Sequence, residues 1–137
     1  MPREKQYASY QSLAPKEQTT SSFTCMEIQN LNHRKKILSE NTIVCIDLFA
    51  NWCAPCKVVS PQFAELAERY NNPGSCLLVK EDVDLELTRD YNISGIPAFI
   101  FYRQGQLLRN QADNSPVAVV GGNIKNVQTI LDKLLTQ

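Results

Sequence analysis

The run TIVCIDLFA at positions 42–50 restricts the fold of this chain more than any other segment. A half-exposed strand alternates apolar with polar side chains, whereas this run is apolar on both faces except at Asp47. It therefore predicts a central strand covered on both sides, and helices are the usual cover. The residues that follow have helical spacing. From Cys53 onward, Val59, Phe63, Leu66, Ala67 and Tyr70 recur at offsets of three and four until Asn71-Asn72-Pro73-Gly74 stops the pattern. Pro61 lies inside this helix and predicts a kink.

The other segments alternate in type. Residues 23–28 read as a short first strand, and residues 30–39, with Leu31, Ile37 and Leu38 among Lys and Arg, as a first helix broken by Asn41 and Thr42. Residues 76–83 form an apolar strand leading into Asp84, and residues 86–91 a short helix ending near Asn92. AFIFYR at 98–103 is a strand closed by the turn Gln104-Gly105, and PVAVV at 116–120 is the last strand before Gly121-Gly122. A final helix carries Val127, Ile130, Leu131, Leu134 and Leu135 on one face. The order β, α, β, α, β, α, β, β, α predicts an α/β domain with a partly parallel sheet.

Composition narrows the partner classes. Residues 1–22 are polar, with Leu13 almost the only aliphatic side chain, and cannot bury enough surface to offset their ordering entropy; they are expected to be a flexible extension. Subtracting them from 137 leaves about 115 residues, one domain on the usual scale. Tyr7 and Tyr10 in the extension are read as incidental. Fourteen basic and fourteen acidic residues cancel, and there is no run of five Lys or Arg, so neither nucleic acid nor an anionic membrane is an expected partner. The N-terminus has no apolar segment behind its basic residues, and no apolar run reaches membrane-spanning length; the expectation is a cytoplasmic, reducing setting. Five cysteines also do not suit a fully paired secreted framework.

Trp52-Cys53-Ala54-Pro55-Cys56-Lys57 sits where the buried strand ends and the helix begins. A cysteine at a helix N-terminus faces unpaired N–H groups and the positive end of the helix dipole, which favours its thiolate. Cys53 is in that position. Cys56, one turn further in, points back toward it and is expected to be less exposed. Pro55 falls in the first turn, where its missing N–H costs nothing, and stiffens the pair. A Cys-x-x-Cys pair in a strand-to-helix setting reads as a redox motif.

With further matches in order along the chain, the sequence resembles the thioredoxin family. Asp47 lies six residues before Cys53, Pro61 five after Cys56, Lys80 and Asp84 fall in and after the next strand, Gly95-Ile96-Pro97 precedes the fourth strand, and Gly121 follows the last. Together they span residues 23–137, the expected domain. The resemblance implies the thioredoxin fold, with a central mixed sheet of four to five strands flanked by helices on both faces. It implies a thiol–disulfide oxidoreductase, a protein-disulfide reductase in which Cys53 attacks a protein disulfide and Cys56 resolves it. The Cys53–Cys56 redox-active disulfide is then regenerated by a thioredoxin reductase or equivalent donor. No bound cofactor or metal is expected, and the chain is expected to be a monomer.

Lowering a thiol pKa from about 8.5 to about 7, the value typical of thioredoxin, raises the thiolate fraction at pH 7 from roughly 3% to roughly 50%. A Brønsted slope near 0.5 takes back about sixfold in nucleophilicity, so the net gain is about threefold and substrate positioning must supply much of the rate. The resemblance implies a cis bond at Ile96-Pro97, where the Ile96 backbone can pair with an extended substrate segment beside Cys53. Trp52 and Pro97 are expected to form an apolar rim, with Ala54, Pro55 and Gly121 completing the substrate-binding face. Asp47, if buried, should have a raised pKa and serve as proton acceptor for Cys56, with Lys80 as its basic partner. A buried ion pair kept for fold specificity is the alternative.

The chain departs from the family at Ala54, where glycine is most typical, at Phe49, where Trp or Tyr is usual, and at Ala98, where Thr is common. The stretch 106–115, QLLRNQADNS, is longer than the family's hairpin connection and is expected to be an extended surface loop. Cys25 and Cys45 are expected in the core. Cys76, after a glycine-containing loop, is a candidate for an accessible thiol. His33, the only histidine, lies on a charged helix, and one Cys-x-x-Cys without a second pair does not make a zinc site. Two further readings stay open: an interaction module whose dithiol is not catalytic, and an isomerase or oxidase working in the opposite redox direction.

Overall fold

A computed structural model describes residues 25–137. The extension at 1–22 with Tyr7 and Tyr10, and the first two positions of the expected first strand, lie outside the described residues. The elements are β1 (Met26–Glu27), α1 (Leu31–Glu40), β2 (Ile43–Phe49), α2 (Ala54–Tyr70), β3 (Cys76–Asp82), β4 (Ala98–Arg103), β5 (Gln106–Leu107), β6 (Ala118–Val120) and α3 (Ile124–Leu135). Between β3 and β4 stand two single turns of 3-10 helix, Val83–Leu85 and Arg89–Tyr91, in place of the expected helix over 86–91. Glu86, at φ 61°, ends the first turn in the left-handed region, which no α-helix can pass through.

β2 is buried at every residue. It pairs in parallel with β3, Asp47 opposite Lys80, and antiparallel with β4, Asp47 opposite Phe99. β1 adds to the far side of β3 in parallel, so the sheet is mixed, in the order β1-β3-β2-β4. β5 and β6 share the outer edge of β4, β5 against Tyr102 and Arg103, β6 against residues 98–100. The sheet therefore has six strands, the expected four to five being exceeded because two of the six are two-residue pieces.

The stretch 106–115, expected to be an extended surface loop, is largely a ribbon. Leu108 donates its N–H to Phe101 and accepts one from Val117, and Arg109 bridges Pro116, so the chain leaves the sheet edge as a narrow hairpin and rejoins it. Its tip is closed by Asn110 N–H to the Ser115 carbonyl (2.7 Å) and by Asp113, whose Oδ1 accepts from both the Ser115 N–H and hydroxyl.

Helices α2 and α3 cover one face of the sheet, where Val59, Phe63, Leu66, Val127 and Leu131 meet Cys45, Leu78, Phe99 and Phe101. Ile37 of α1 and Tyr91 cover the other, against Val44, Ile46, Leu48, Val79 and Ile100. The helix ends follow ordinary capping chemistry. Asn30 accepts from the His33 N–H at 2.8 Å and Asn123 from the Asn126 N–H at 3.1 Å. His33 Nδ1 is itself an acceptor for the Gln29 N–H. α2 runs through Pro61 without ending there.

Phe63 is buried, with its ring centroid 5.3 Å from that of Phe99, and joins α2 to the sheet centre. Phe63→Ala is expected to lower unfolding free energy by about 3 to 5 kcal/mol. Urea unfolding should show the loss as a lower midpoint at unchanged slope.

Candidate active site

β2 delivers the chain to the top of the sheet and α2 starts after four intervening residues. Cys53 is the N-cap of α2, its Sγ accepting the Cys56 N–H at 3.2 Å, with Pro55 in the first turn. The two cysteines are joined by a disulfide, their Cα atoms 5.3 Å apart. The expected contrast in exposure is slight, 5% for Cys53 against 3% for Cys56. Their surroundings differ more. Cys53 is flanked by the exposed residues Trp52, Ala54 and Pro55, whereas Cys56 lines a partly open cavity of about 90 Å³ with Asp47, Phe49, Ala50, Asn51, Lys57, Ser60 and Lys80.

Asp47 is 1% exposed and its Oδ1 makes no hydrogen bond. Burial pushes its carboxyl up to about 7, and the nearby Lys80 ammonium opposes the rise. Lys80 takes a different seat from a contact ion pair: its Nζ lies 4.4 Å from the centroid of the Phe49 ring, a cation–π contact beside the cavity. Phe49 thus holds the lysine, a role that its departure from the family's Trp or Tyr leaves intact.

Ile96 and Val83 pack against the cluster of Phe49, Ala50, Cys53 and Cys56. The Ile96-Pro97 bond is cis, as expected. The Pro97 carbonyl accepts the Gly121 N–H at 2.7 Å, and Gly121 has φ 99°, a region open to glycine. Pro97 is buried and does not form the rim expected of it. Strand β4 begins at the next residue, so its ring turns in with the core, and the exposed apolar surface comes from Trp52 (69% exposed) and Val120, which lies beside Gly95. Trp52 Nε1 donates to Asp84 Oδ2 at 3.0 Å. Trp52, Val83 and Ile96, together with Thr88, Arg89, Asn92, Ile93, Ser94 and Gly95, line a shallow groove of about 390 Å³, and its Val83 and Ile96 also pack against the cysteine cluster.

The expected catalytic and substrate-binding residues, Asp47, Trp52, Cys53, Ala54, Pro55, Cys56, Lys80, Ile96, Pro97 and Gly121, therefore fall at this end of the sheet. Sequence reasoning missed Phe49 as the seat of Lys80 and the groove wall at 88–94. The other three cysteines are free thiols. Cys45 is in the core, and burial pushes both it and half-buried Cys25 well above the ordinary thiol range. Cys76 is not accessible: it opens β3 opposite Ile43, is 1% exposed, and burial pushes its thiol up to about 11. Among the described residues no group of three or more His, Cys, Asp or Glu is arranged to hold a metal ion.

The thioredoxin family profile matches residues 24–126, more than half of the chain. The chain belongs to the thioredoxin family. A thioredoxin of Aspergillus fumigatus is 33% identical over 101 residues, 72% of this chain and 84% of the relative. Thioredoxin-T of Drosophila melanogaster is 39% identical over 72 residues, 53% of this chain but 46% of that longer protein. The crystal structure of reduced thioredoxin pre-protein from Schistosoma mansoni aligns with a TM-score of 0.65 at 34% identity, covering 80% of this chain and 96% of that one. The chain is thus a thiol–disulfide oxidoreductase of the protein-disulfide-reducing kind, working through Cys53 and Cys56.

Asp47 gives the site a stability signature. Its pKa is about 7 folded and 3.8 unfolded, so between these values the native state holds a proton that the unfolded state has lost. Stability of the oxidised protein must fall as pH rises through that window, by up to about 1.4 kcal/mol per pH unit. In Asp47→Ala this loss is absent: relative to wild type, the variant should gain on the order of 2 to 4 kcal/mol between pH 4 and pH 8. Denaturant titrations of the oxidised proteins across that range check the sign.

Proposed function

We propose that Cys53 is the attacking thiol, Cys56 the resolving thiol and Asp47 the proton acceptor for Cys56. The observation that carries this division is the cavity that Asp47 shares with Cys56 and Lys80. In the reduced protein the Cys53 thiolate attacks one sulfur of a protein disulfide, forming a mixed disulfide and releasing the other sulfur as a thiolate. Cys56 gives its proton to Asp47, through water in the cavity, and its thiolate attacks Cys53 Sγ, releasing the second substrate thiol and closing the Cys53–Cys56 disulfide. Two electrons have passed to the substrate. An external reductase, a thioredoxin reductase or equivalent, supplies the pair that reopens the disulfide.

A carboxyl titrating near 7 suits this task, because it accepts a proton in one step and yields it in the reverse one. Lys80, held on Phe49, moderates that pKa. The substrate is read as an extended segment lying over Trp52, Ala54 and Pro55 and pairing with the Ile96 backbone, with Pro97 and Gly121 holding that turn. The reducing direction and a cytoplasmic setting are supported by the three free thiols, which an oxidising compartment would place at risk. No described helix is long and apolar enough to cross a membrane. A monomer without resident cofactor suffices for this cycle. The ribbon at 109–116 is the observation that favours the rival reading, an interaction module.

Cys53→Ser and Cys56→Ser should each abolish reduction of a protein disulfide, and Cys56→Ser alone should accumulate a stable mixed disulfide with substrate. Wild-type turnover in all three proteins would sink the assignment. A strongly oxidising equilibrium potential against glutathione would reverse its direction. Asp47→Asn should slow turnover by about tenfold or more and remove an inflection near pH 7 from the rate profile.

A further inference from the structure

On the side of the sheet away from the cysteine pair, one ion pair stands inside the apolar layer. Glu81 follows Lys80 in β3 and points to the opposite face, where it is 0% exposed among residues such as Leu48, Val79 and Ile100. Its Oε2 accepts from Arg34 Nη1 at 2.9 Å, and its Oε1 makes no hydrogen bond. The same Nη1 lies 3.1 Å from the Leu87 carbonyl and 2.8 Å from Tyr91 Oη. Tyr91 Oη is in turn 2.5 Å from Tyr102 Oη, and the guanidinium stacks 5.3 Å from the centre of the Tyr91 ring. Arg34 thus ties α1 and β3 to Leu87 and Tyr91, in the connection that carries the two 3-10 turns.

That connection is the groove wall. Thr88, Arg89 and Asn92, beside the tethered residues, line the groove, as do Val83 and Ile96, which touch the cysteine cluster. Two one-turn helices have little internal hydrogen bonding to hold them. A buried ion pair, for its part, generally adds little stability over an apolar pair of the same volume. What it supplies and an apolar pair does not is direction: a fixed donor for one carbonyl and one phenol.

We propose that Arg34, held by Glu81, is a positioning residue for protein-disulfide substrates, setting the groove wall against which the substrate segment lies. The proposal rests on the reading of the groove beside Trp52 and Ile96 as the substrate-docking face. Arg34 touches no reacting atom. Its effect is therefore confined to substrates large enough to lie along the wall.

The test uses the full chain, with insulin as the protein disulfide and dithiobis(nitrobenzoate) as a small one. Arg34→Met should raise KM for insulin about fivefold or more while leaving kcat, the small-disulfide rate and the equilibrium constant with glutathione within about twofold of wild type. Arg34→Lys, which keeps the charge and loses the planar fork, should restore part of the KM. The paired variant Arg34→Met with Glu81→Leu removes both charges, so it should fold as stably as wild type and still show the raised KM. It decides the matter if the single variant does not fold. Equal loss on both disulfides, or a wild-type KM in the paired variant, overturns the proposal. Trp52→Ala, inside the groove, separates the two failures. A raised KM in Trp52→Ala alone removes the Arg34 anchor only, and an unchanged KM in both removes the docking groove and the anchor with it.

Discussion

A strand with no free face and no free edge cannot shift without moving everything packed on it, and β2 is such a strand. β3 and β4 take its two edges, α2 and α3 lie over one face, and α1 with Tyr91 lies over the other. The last residues of β2 therefore stand at a fixed height, and the first turn of α2 begins from that height. The distance between Cys53 and the Ile96 turn is set in this way, because β4 starts immediately after Pro97 and pairs Ala98 with Leu48. Paired strands on both sides of the gap give the chemistry its precision.

The same burial makes Asp47 costly and useful. In water a carboxyl near pH 7 is a poor proton acceptor, being almost fully ionised and weakly basic. Inside this layer it titrates where a thiol can use it. The protein tolerates the burden because the rest of that face is well packed, with Phe63 and Phe99 filling the space beyond the cavity.

Much of this is legible in the sequence. The doubly apolar run at 42–50, the helical spacing after Cys53 and the turn signals gave the layers and the order of the larger elements, and the motif residues located the site. What failed did so for local reasons. The helix expected over 86–91 shrinks to the single turn Arg89–Tyr91 because Glu86, its expected first residue, takes positive φ and ends the preceding turn, a choice that residue preferences disclose weakly. Residues 106–115 read as a lengthened hairpin connection, but not as a ribbon, although an Asn-Asp-Ser tip between Leu and Val pairs is itself a hairpin signal. Cys76 was misjudged from its neighbour Gly74; its own strand pairing buries it. Glu81 could have been found, since Leu77, Val79 and Glu81 share one strand face and a lone carboxylate on such a face calls for a buried cation.

The adjacent charges of β3 also act as a register lock. Lys80 faces the carboxyl of Asp47 on one side of the sheet, and Glu81 faces the guanidinium of Arg34 on the other. Sliding β3 by one residue in one direction would set Glu81 beside Asp47, two carboxylates in one dry layer. Sliding it the other way would set Lys80 beside Arg34. Either error places like charges together inside the protein, whereas apolar side chains at these positions would have let a misaligned strand pass unpunished. The two ion-bearing positions thus discriminate against both nearest alternatives of the central pairing.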